Sequence, residues 1–343
     1  MQYHLARKFR TLALICLFTS FAGVIFQLVN EEQLNHRSVM FGFPLGIVFG
    51  LLELFLFKKA EIRFRQWSFT KILLFKTLLY TAVIYFVTVT ITIVAGLFEG
   101  HQLSEVPAYL ASMAQLVLVI YTLVIYGLLI FFLQINHLLG EGILWKFIRG
   151  RYHKPREEER IFMFLDMKSS TSIAEKLGHV CFYALVNELF HEISQPVLQT
   201  KAEIYQYVGD EVVLTWEMED GLQNSNCLKI FFIFRENLLR KSENYIRDFG
   251  VKPEFKAGLH FGKVISAQIG DLKREIVYNG DVLNTTARIQ SECNKYKRDC
   301  LVSGPLVDRL KQMNGFIWER IDAVILRGKE KEMELFSVTN VVP

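Results

Sequence analysis

The sequence carries little net charge and no grouped cysteines. Its formal net charge is +4 over 343 residues, so charge gives no reason to expect a nucleic acid as a partner. The five cysteines are scattered, without a CxxC pair or a zinc-type spacing, which is typical of reduced thiols in a reducing compartment. They are Cys16, Cys181, Cys227, Cys293 and Cys300. No cleavable signal peptide is expected, because the apolar run after Arg10 is too long and lacks a small-residue cleavage site.

Long apolar runs are what the sequence has in excess. Hydrophobic residues make up 51% of it, 29 of them phenylalanine, and the mean hydropathy is +0.25. A soluble protein of this size is expected to be less apolar. Four stretches are long enough to cross a bilayer core, which takes about 20 residues. They are Thr11–Val29, Phe41–Phe57, Ile72–Leu97 and Pro107–Ile135. We therefore expect residues 1–136 to form a four-helix transmembrane domain in contact with membrane lipid.

Basic residues indicate the orientation of this domain. They lie before the first stretch, after the second and after the fourth, whereas the other two connections contain at most one Arg or Lys each. The positive-inside rule therefore predicts a multi-pass protein of the cell (inner) membrane, with its N-terminus and its C-terminal half in the cytoplasm. No chain of intramembrane charges is apparent, which argues against a transporter.

Two features of the membrane half concern its packing. Three glycines spaced four apart share one helix face, and they allow either a dimer contact or close packing within the bundle. They are Gly42, Gly46 and Gly50. Three charged residues near the predicted cytoplasmic ends are expected to snorkel toward the interface. They are Glu53, Lys71 and Lys76.

After the last apolar stretch, short alternating elements replace the long runs. Residues 137–159 are expected to form a helical connector that ends in the charged, proline-broken run Lys154–Arg160. Over residues 160–343 the order is strand, helix, hairpin, helix and strand, with a further strand pair expected around Gly262. This order predicts an α+β domain, broadly ferredoxin-like, with helices on one face of the sheet.

Two aspartates at strand ends suggest a cation site in this domain. Asp166 ends the apolar run Ile161–Leu165, and Asp210 lies at the tip of a tight hairpin. Paired carboxylates suit Mg²⁺, which takes one or two of them together with substrate phosphates. The segment Met167–Thr171 runs into a helix N-terminus, whose backbone N–H groups suit a polyphosphate.

A later helix adds an amide and a guanidinium. Asn284 and Arg288 are four residues apart and therefore share one helix face. These two groups suit negative charge that develops on a phosphoryl group. Together with the aspartates, they predict a metal-and-phosphate site.

Four segments resemble the motifs of class III adenylate and guanylate cyclases. Phe164–Thr171 resembles their first metal motif, and Gln206–Asp210 resembles their second. Asn284–Arg288 is similar to their transition-state helix, and Arg327–Lys329 resembles the late basic turn that reaches the terminal phosphates. The segments stand in the family's order over Arg160–Val338. The resemblance implies a homodimeric enzyme that converts ATP to cyclic AMP and pyrophosphate.

By position, the resemblance assigns a role to each matching residue. The residues that would ligate two Mg²⁺ or Mn²⁺ ions per site are Asp166, Met167 and Asp210. The residues that would bind the phosphates are Met167, Ser169, Ser170, Thr171 and Lys329. Asn284 would orient the ribose, and Arg288 would stabilise charge on the α-phosphoryl group. In this family one protomer supplies the metal carboxylates and the other the Asn and Arg, so a symmetric dimer with two composite sites is expected.

Base recognition departs from the family's pattern. Gln206 stands where Lys is usual in adenylate cyclases and Glu in guanylate cyclases, and Val277 stands where Asp, Thr or Cys is usual. An amide donates and accepts, so Gln206 could read an adenine edge. The alternatives are a cyclase for GTP or a pyrimidine nucleotide, or a Gln206 satisfied within the sheet. A further alternative is a non-catalytic signalling receptor that kept the fold, against which the retained Asp166, Asp210, Asn284 and Arg288 count.

Overall fold

The computed structural model describes residues 2–31, 37–53, 67–99, 113–139, 149–310, 315–325 and 332–340. The chain divides into two compact units, Met1–Leu139 and Gly140–Pro343. Residues 140–148 of the expected helical connector lie outside the described residues. The first strand begins at Arg156, inside the segment expected to be connector. The boundaries after residues 136 and 159 stay a prediction.

Four helices make up the described part of the first unit. They are α1 (Gln2–Glu31), α2 (Arg37–Leu51), α3 (Phe69–Glu99) and α4 (Met113–Leu139). Among the described residues, two spans are long and apolar enough to cross a membrane, Phe69–Thr90 in α3 and Gln115–Asn136 in α4. These spans meet the requirement by length and composition alone, so the four-helix transmembrane domain stays a prediction.

Two of the three spaced glycines contact α1. A Cβ at Gly46 would lie 2.5 Å from the Cα atom of Cys16, and one at Gly50 would lie 2.1 Å from Cδ1 of Leu12. At Gly46 the conflict is with backbone, so this glycine admits α1 at close range, whereas at Gly50 it is with the movable end of the Leu12 side chain. The structure thus favours packing within the unit over the alternative of a dimer contact.

The charged residues Glu53 and Lys76 contact each other. Nζ of Lys76 lies 2.5 Å from one carboxylate oxygen of Glu53, and Oη of Tyr80 donates to the other at 2.5 Å. Both partners of Glu53 belong to α3, one turn apart. Glu53 and Lys76 are therefore paired with each other, and their snorkelling toward the interface stays a prediction.

A mixed sheet of eight strands forms the second unit. The strand order is β2-β3-β1-β4-β6-β8-β7, with β5 paired to β4. Every pairing is antiparallel except that of β4 with β6. The strands are β1 (Arg156–Met167), β2 (Glu203–Val208), β3 (Glu211–Glu217), β4 (Phe255–Ile269), β5 (Glu275–Asn279), β6 (Cys300–Ser303), β7 (Phe316–Ile325) and β8 (Glu332–Asn340).

Seven α-helices accompany the sheet within the described residues. They are α5 (Ser170–Leu177), α6 (His179–Gln199), α7 (Met218–Leu222), α8 (Asn226–Arg240), α9 (Ser242–Phe249), α10 (Asp281–Tyr296) and α11 (Gly304–Leu310). The helix that the order of elements predicts after the hairpin is divided at Lys241 into α8 and α9.

Alternate residues of β1 face opposite sides of the sheet. Ile161, Met163 and Leu165 lie in the large apolar core with α6 and α8, whereas Phe162 and Phe164 pack toward α10. Helices therefore cover both faces, and the prediction of helices on one face is wrong. The sequence of β1 is apolar on both sides, as is usual for a strand buried on both faces, so its own pattern favours two covering layers over one.

β4 is one continuous strand of 15 residues, where two strands around Gly262 were expected. Gly262 pairs with Arg160 of β1 in an unbroken ladder. A Cβ at this glycine would lie 3.3 Å from Cβ of Val282 in α10. Gly262 therefore lets α10 approach the sheet and does not mark a turn.

Candidate active site

Asp166 lies near the end of β1, on the sheet face that α10 covers. It follows Leu165, which pairs with Val212 of β3, and it pairs with Lys256 of β4. Because β1 and β3 are antiparallel, the end of β1 lies beside the start of β3 and the turn that precedes it. Asp166 and Asp210 are thereby brought to one edge of the sheet.

Two buried side chains hold the Asp166 carboxylate. Its Oδ2 accepts a hydrogen bond from Nε2 of Gln290 at 2.9 Å and lies 3.3 Å from Nζ of Lys256. Gln290 belongs to α10 and is 6% exposed, and Lys256 is 8% exposed. Lys256 also donates to Oδ1 of Asn294 at 3.2 Å. The position of Asp166 is therefore fixed by both β4 and α10.

Asp210 forms the β2–β3 turn with Gly209. Gly209 has a φ of 63°, a left-handed conformation that glycine adopts without steric cost. Oδ2 of Asp210 is buried and has no hydrogen-bond partner among the described residues. Burial raises the pKa of Asp210, and the nearby Asp166 carboxylate raises it further, against a hydrogen bond from Ser170 that lowers it.

A third carboxyl group, that of Glu211, lies near this edge. Burial raises the pKa of Glu211 to about 7, with Asp166 and Asp210 adding to the shift and Lys256 opposing it. Among the described residues, no group of three or more His, Cys, Asp or Glu side chains could hold a metal by itself. The site therefore fits an ion such as Mg²⁺, which takes two carboxylates and completes its shell with phosphates and water.

The chain turns from β1 into α5 directly after the metal edge. Ser169, just before α5, has a φ of 55° and makes no side-chain capping bond. The first N–H groups of an α-helix have no intrahelical acceptor, so those of Ser170 and Thr171 suit phosphate oxygens. Met167 is 1% exposed and packs in the apolar core, so only its main-chain atoms could serve a metal or a phosphate.

Asn284 and Arg288 lie on a different side of α10 from Gln290. Asn284 is exposed and Arg288 is half-buried, whereas Ile289 is fully buried. Neither the Asn284 nor the Arg288 side chain makes a hydrogen bond or an ion pair within the residues that the structure describes. Gln290, by contrast, contacts Asp166 of its own chain.

A β-bulge determines where Gln206 points. The ladder shifts between Ile204 and Gln206, so that Ile204 opposes Leu214 and Gln206 opposes Val213. Leu214 belongs to the large core and Val213 to the α10 face. The bulge therefore turns the exposed Gln206 onto the face that also carries Asp166.

Val277, the other predicted base-recognition residue, lies half-buried on β5. It pairs with Ala267 of β4. Its neighbour Tyr278 contacts Tyr205, the neighbour of Gln206, with ring centroids 5.1 Å apart. Neighbouring residues of a strand face opposite sides, so Val277 faces away from the α10 side on which Tyr278 and Gln206 lie. The structure brings the strands of the two predicted base-recognition residues together but not their side chains.

Sequence reasoning missed Lys256 and Gln290. Lys256 left a signal, because a lysine inside the apolar strand Phe255–Leu259 is rarely buried without a partner. Gln290 left none, since nothing in the sequence relates it to Asp166. Arg327 and Lys329 lie outside the described residues, so the phosphate-binding role of Lys329 stays a prediction.

Comparison with known proteins identifies the fold around this site. The model of the adenylate and guanylate cyclase catalytic domain matches residues 152–340. Adenylate cyclase 2 of Rhizobium meliloti (strain 1021) is 32% identical over 229 residues, covering 67% of this chain and 63% of that protein. Guanylate cyclase beta of Plasmodium falciparum (isolate 3D7) is 33% identical over 97 residues, covering 28% of this chain and 3% of that protein.

A solved structure of a bacterial light-regulated adenylyl cyclase has the same fold. Its TM-score is 0.52 at 18% identity, over 62% of this chain and 64% of that one. The second unit is thus a nucleotide-cyclase domain, and the chain belongs to the class III adenylate and guanylate cyclase family. The resemblance drawn from the four motifs is confirmed. The match spans 63% of the length of the Rhizobium protein.

Proposed function

We propose that the chain is a membrane-bound adenylate cyclase that converts ATP to 3′,5′-cyclic AMP and pyrophosphate as a homodimer. The observation that carries this proposal is the Asp166–Asp210 pair, in which a buried oxygen of Asp210 has no hydrogen-bond partner among the described residues. A buried acceptor without a donor is costly. A cation bound between the two carboxylates would remove that cost.

The reaction joins the ribose 3′-oxygen to the α-phosphorus and breaks the α–β phosphoanhydride bond. The 3′-hydroxyl proton passes to solvent and pyrophosphate leaves. Two Mg²⁺ or Mn²⁺ ions, held by Asp166, Asp210 and the main chain at Met167, would neutralise the triphosphate and lower the pKa of the 3′-hydroxyl. Lys256 offers an ammonium group 3.3 Å from Asp166, and Ser169, Ser170, Thr171 and Lys329 complete the proposed phosphate site.

Asn284 and Arg288 would act on the substrate held by the partner protomer. Asn284 would orient the ribose, and Arg288 would stabilise charge on the α-phosphoryl group. Support comes from their position on an open side of α10, without a partner in the described part of their own chain. A second copy of the chain, related by two-fold symmetry, would bring each pair to the metal edge of the other.

ATP is the proposed substrate because Gln206 can read an adenine edge and faces the same side of the sheet as Asp166. The name of the Rhizobium relative, an adenylate cyclase, also supports ATP. A cyclase for GTP or a pyrimidine nucleotide is the alternative, since Val277 adds no polar group to the base site.

The first unit would anchor the enzyme in the cell (inner) membrane with its catalytic domain in the cytoplasm. Two apolar spans and the basic connections support this multi-pass arrangement. Membrane extraction behaviour and the accessibility of single cysteines placed in each connection would test it.

The test of activity is to incubate the purified chain with each of the four nucleoside triphosphates and Mg²⁺ or Mn²⁺. We expect cyclic AMP from ATP, and none after removal of divalent cations by a chelator. Cyclic product only from GTP or a pyrimidine nucleotide would favour that alternative. No cyclic product from any nucleotide would favour the non-catalytic receptor.

A further inference from the structure

A buried arginine of β1 contacts β2, the strand that carries Gln206. Arg160 of β1 is fully buried, and its Nε donates to Oγ1 of Thr215 at 3.0 Å. Its Nη2 donates to Oε2 of Glu203, the first residue of β2, at 2.8 Å. A buried guanidinium needs such partners to offset the loss of water. The contact therefore ties the edge strand β2 to β1, past the intervening β3.

The same guanidinium supports β5. Its Cζ lies 4.7 Å from the ring centroid of Tyr278, within the range of a cation–π contact. Tyr278 is 7% exposed, and its backbone N–H donates to Oη of Tyr205 at 3.4 Å. Arg160, Tyr278 and Tyr205 therefore form a continuous chain of contacts from β1 through β5 to β2.

The sheet itself does not join β2 to β5. Among the described strands, β2 pairs with β3 and β5 pairs with β4. The bulge that turns Gln206 onto the α10 face also lets Tyr205 pack on that face, against Tyr278. The tyrosine pair thus sets the distance between two strands that have no ladder between them.

We propose that Tyr205 and Tyr278, held by Arg160, are positioning residues for the choice of nucleobase. The inference rests on the proposed cyclase function. Val277 offers no polar group, so the amide of Gln206 must discriminate between bases, and its hydrogen bonds weaken steeply when distance or angle changes. Base preference then depends on how the tyrosine pair sets β2 relative to β5.

Tyr205→Phe tests the proposal with the smallest change, because it removes the hydroxyl that accepts from β5 and keeps the ring. We expect the kcat/KM ratio of ATP to the next best nucleotide to fall about threefold to tenfold, the size of one neutral hydrogen bond. Tyr278→Leu removes the ring between Arg160 and Tyr205 and should lower the ratio further.

Tyr207→Phe is the matched control. Tyr207 lies two residues along the same strand but on the other face, stacked on Phe190 with ring centroids 4.4 Å apart. This variant also removes one tyrosine hydroxyl from β2, but on the face away from Gln206, so we expect the base preference to stay unchanged. Binding of analogues of ATP and GTP that cannot be cyclised supplies a second readout that does not require turnover.

The readout is a ratio because a loss of folded protein lowers turnover with every nucleotide equally. An unchanged ratio in both Tyr205→Phe and Tyr278→Leu, or an equal shift in Tyr207→Phe, would overturn the proposal. A wild-type protein that uses all four nucleotides equally would also overturn it. In each of these results cyclic product still forms, so the cyclase function stands, whereas the absence of product would contradict the function itself.

Discussion

The two faces of the sheet bury different kinds of side chain. The face that packs on α6 and α8 is closed by apolar residues, with Leu185, Leu189 and Trp216 fully buried. The face toward α10 buries charge as well, in Arg160 and Lys256. Buried charges are kept only where they are paired. The face toward α6 and α8 therefore carries stability alone, whereas the face toward α10 combines an apolar cluster with the candidate chemistry.

β1 contributes to both faces through its alternation. Its odd-numbered residues, such as Leu165, lie in the apolar core, and its even-numbered residues include Arg160 and Asp166. Substitutions on the two faces should therefore have separable effects. Changes toward α10 should alter turnover or base choice, and changes toward α6 should alter the free energy of unfolding.

The largest expected effect is at the metal edge. Asp210→Asn should lower turnover about a hundredfold to a thousandfold, the usual cost of losing one charge-stabilising group. In metal-free buffer the melting temperature should not fall, because the neutral amide removes repulsion from Asp166. Asp248→Asn, an exposed change of the same kind on α9, is the control. Near wild-type turnover in Asp210→Asn would contradict the metal role of this carboxylate.

Mixed dimers test whether a second chain completes the active site on the α10 side of the sheet. Asp210→Ala and Arg288→Ala protomers, each inactive alone, should recover activity when mixed, because one of the two sites in a heterodimer is then intact. Random pairing predicts about a quarter of wild-type turnover. Turnover that stays absent in isolated heterodimers would mean that each protomer holds its own complete site.

A substitution on the face toward α6 and α8 should lower stability and leave base choice unchanged. Leu189→Ala removes a fully buried side chain of the large core and should lower the free energy of unfolding by about 2–5 kcal/mol. The ATP-to-GTP ratio of the folded fraction should stay at its wild-type value. A changed ratio with unchanged stability would show that the two faces are not separable.

Local patterns predicted elements and motifs better than they predicted layers. The hairpin around Asp210 and the strand before Asp166 follow from apolar runs and turn residues, so both could be located. β1 is apolar on both sides, which indicates cover on both faces, but nothing local in its sequence shows that α10 is the helix on the second face. The local sequence predicts a turn at Gly262, because its contact with Val282, 20 residues later, leaves no local signal. The bulge at Tyr205 likewise leaves no local signal in the sequence.

The smallest expected effect is at the contact between α10 and the metal edge. Gln290→Leu keeps much of the buried volume but removes the donor to Asp166. Residues that orient a metal ligand typically contribute tenfold to a hundredfold to affinity. Lys256 still holds the carboxylate, so we expect only about a threefold to tenfold rise in the half-saturating Mn²⁺ concentration, measured by Mn²⁺ electron paramagnetic resonance and by turnover. Gln199→Leu, at the exposed end of α6, should leave it unchanged. A lower melting temperature with unchanged Mn²⁺ binding would give Gln290 a role in packing α10 only.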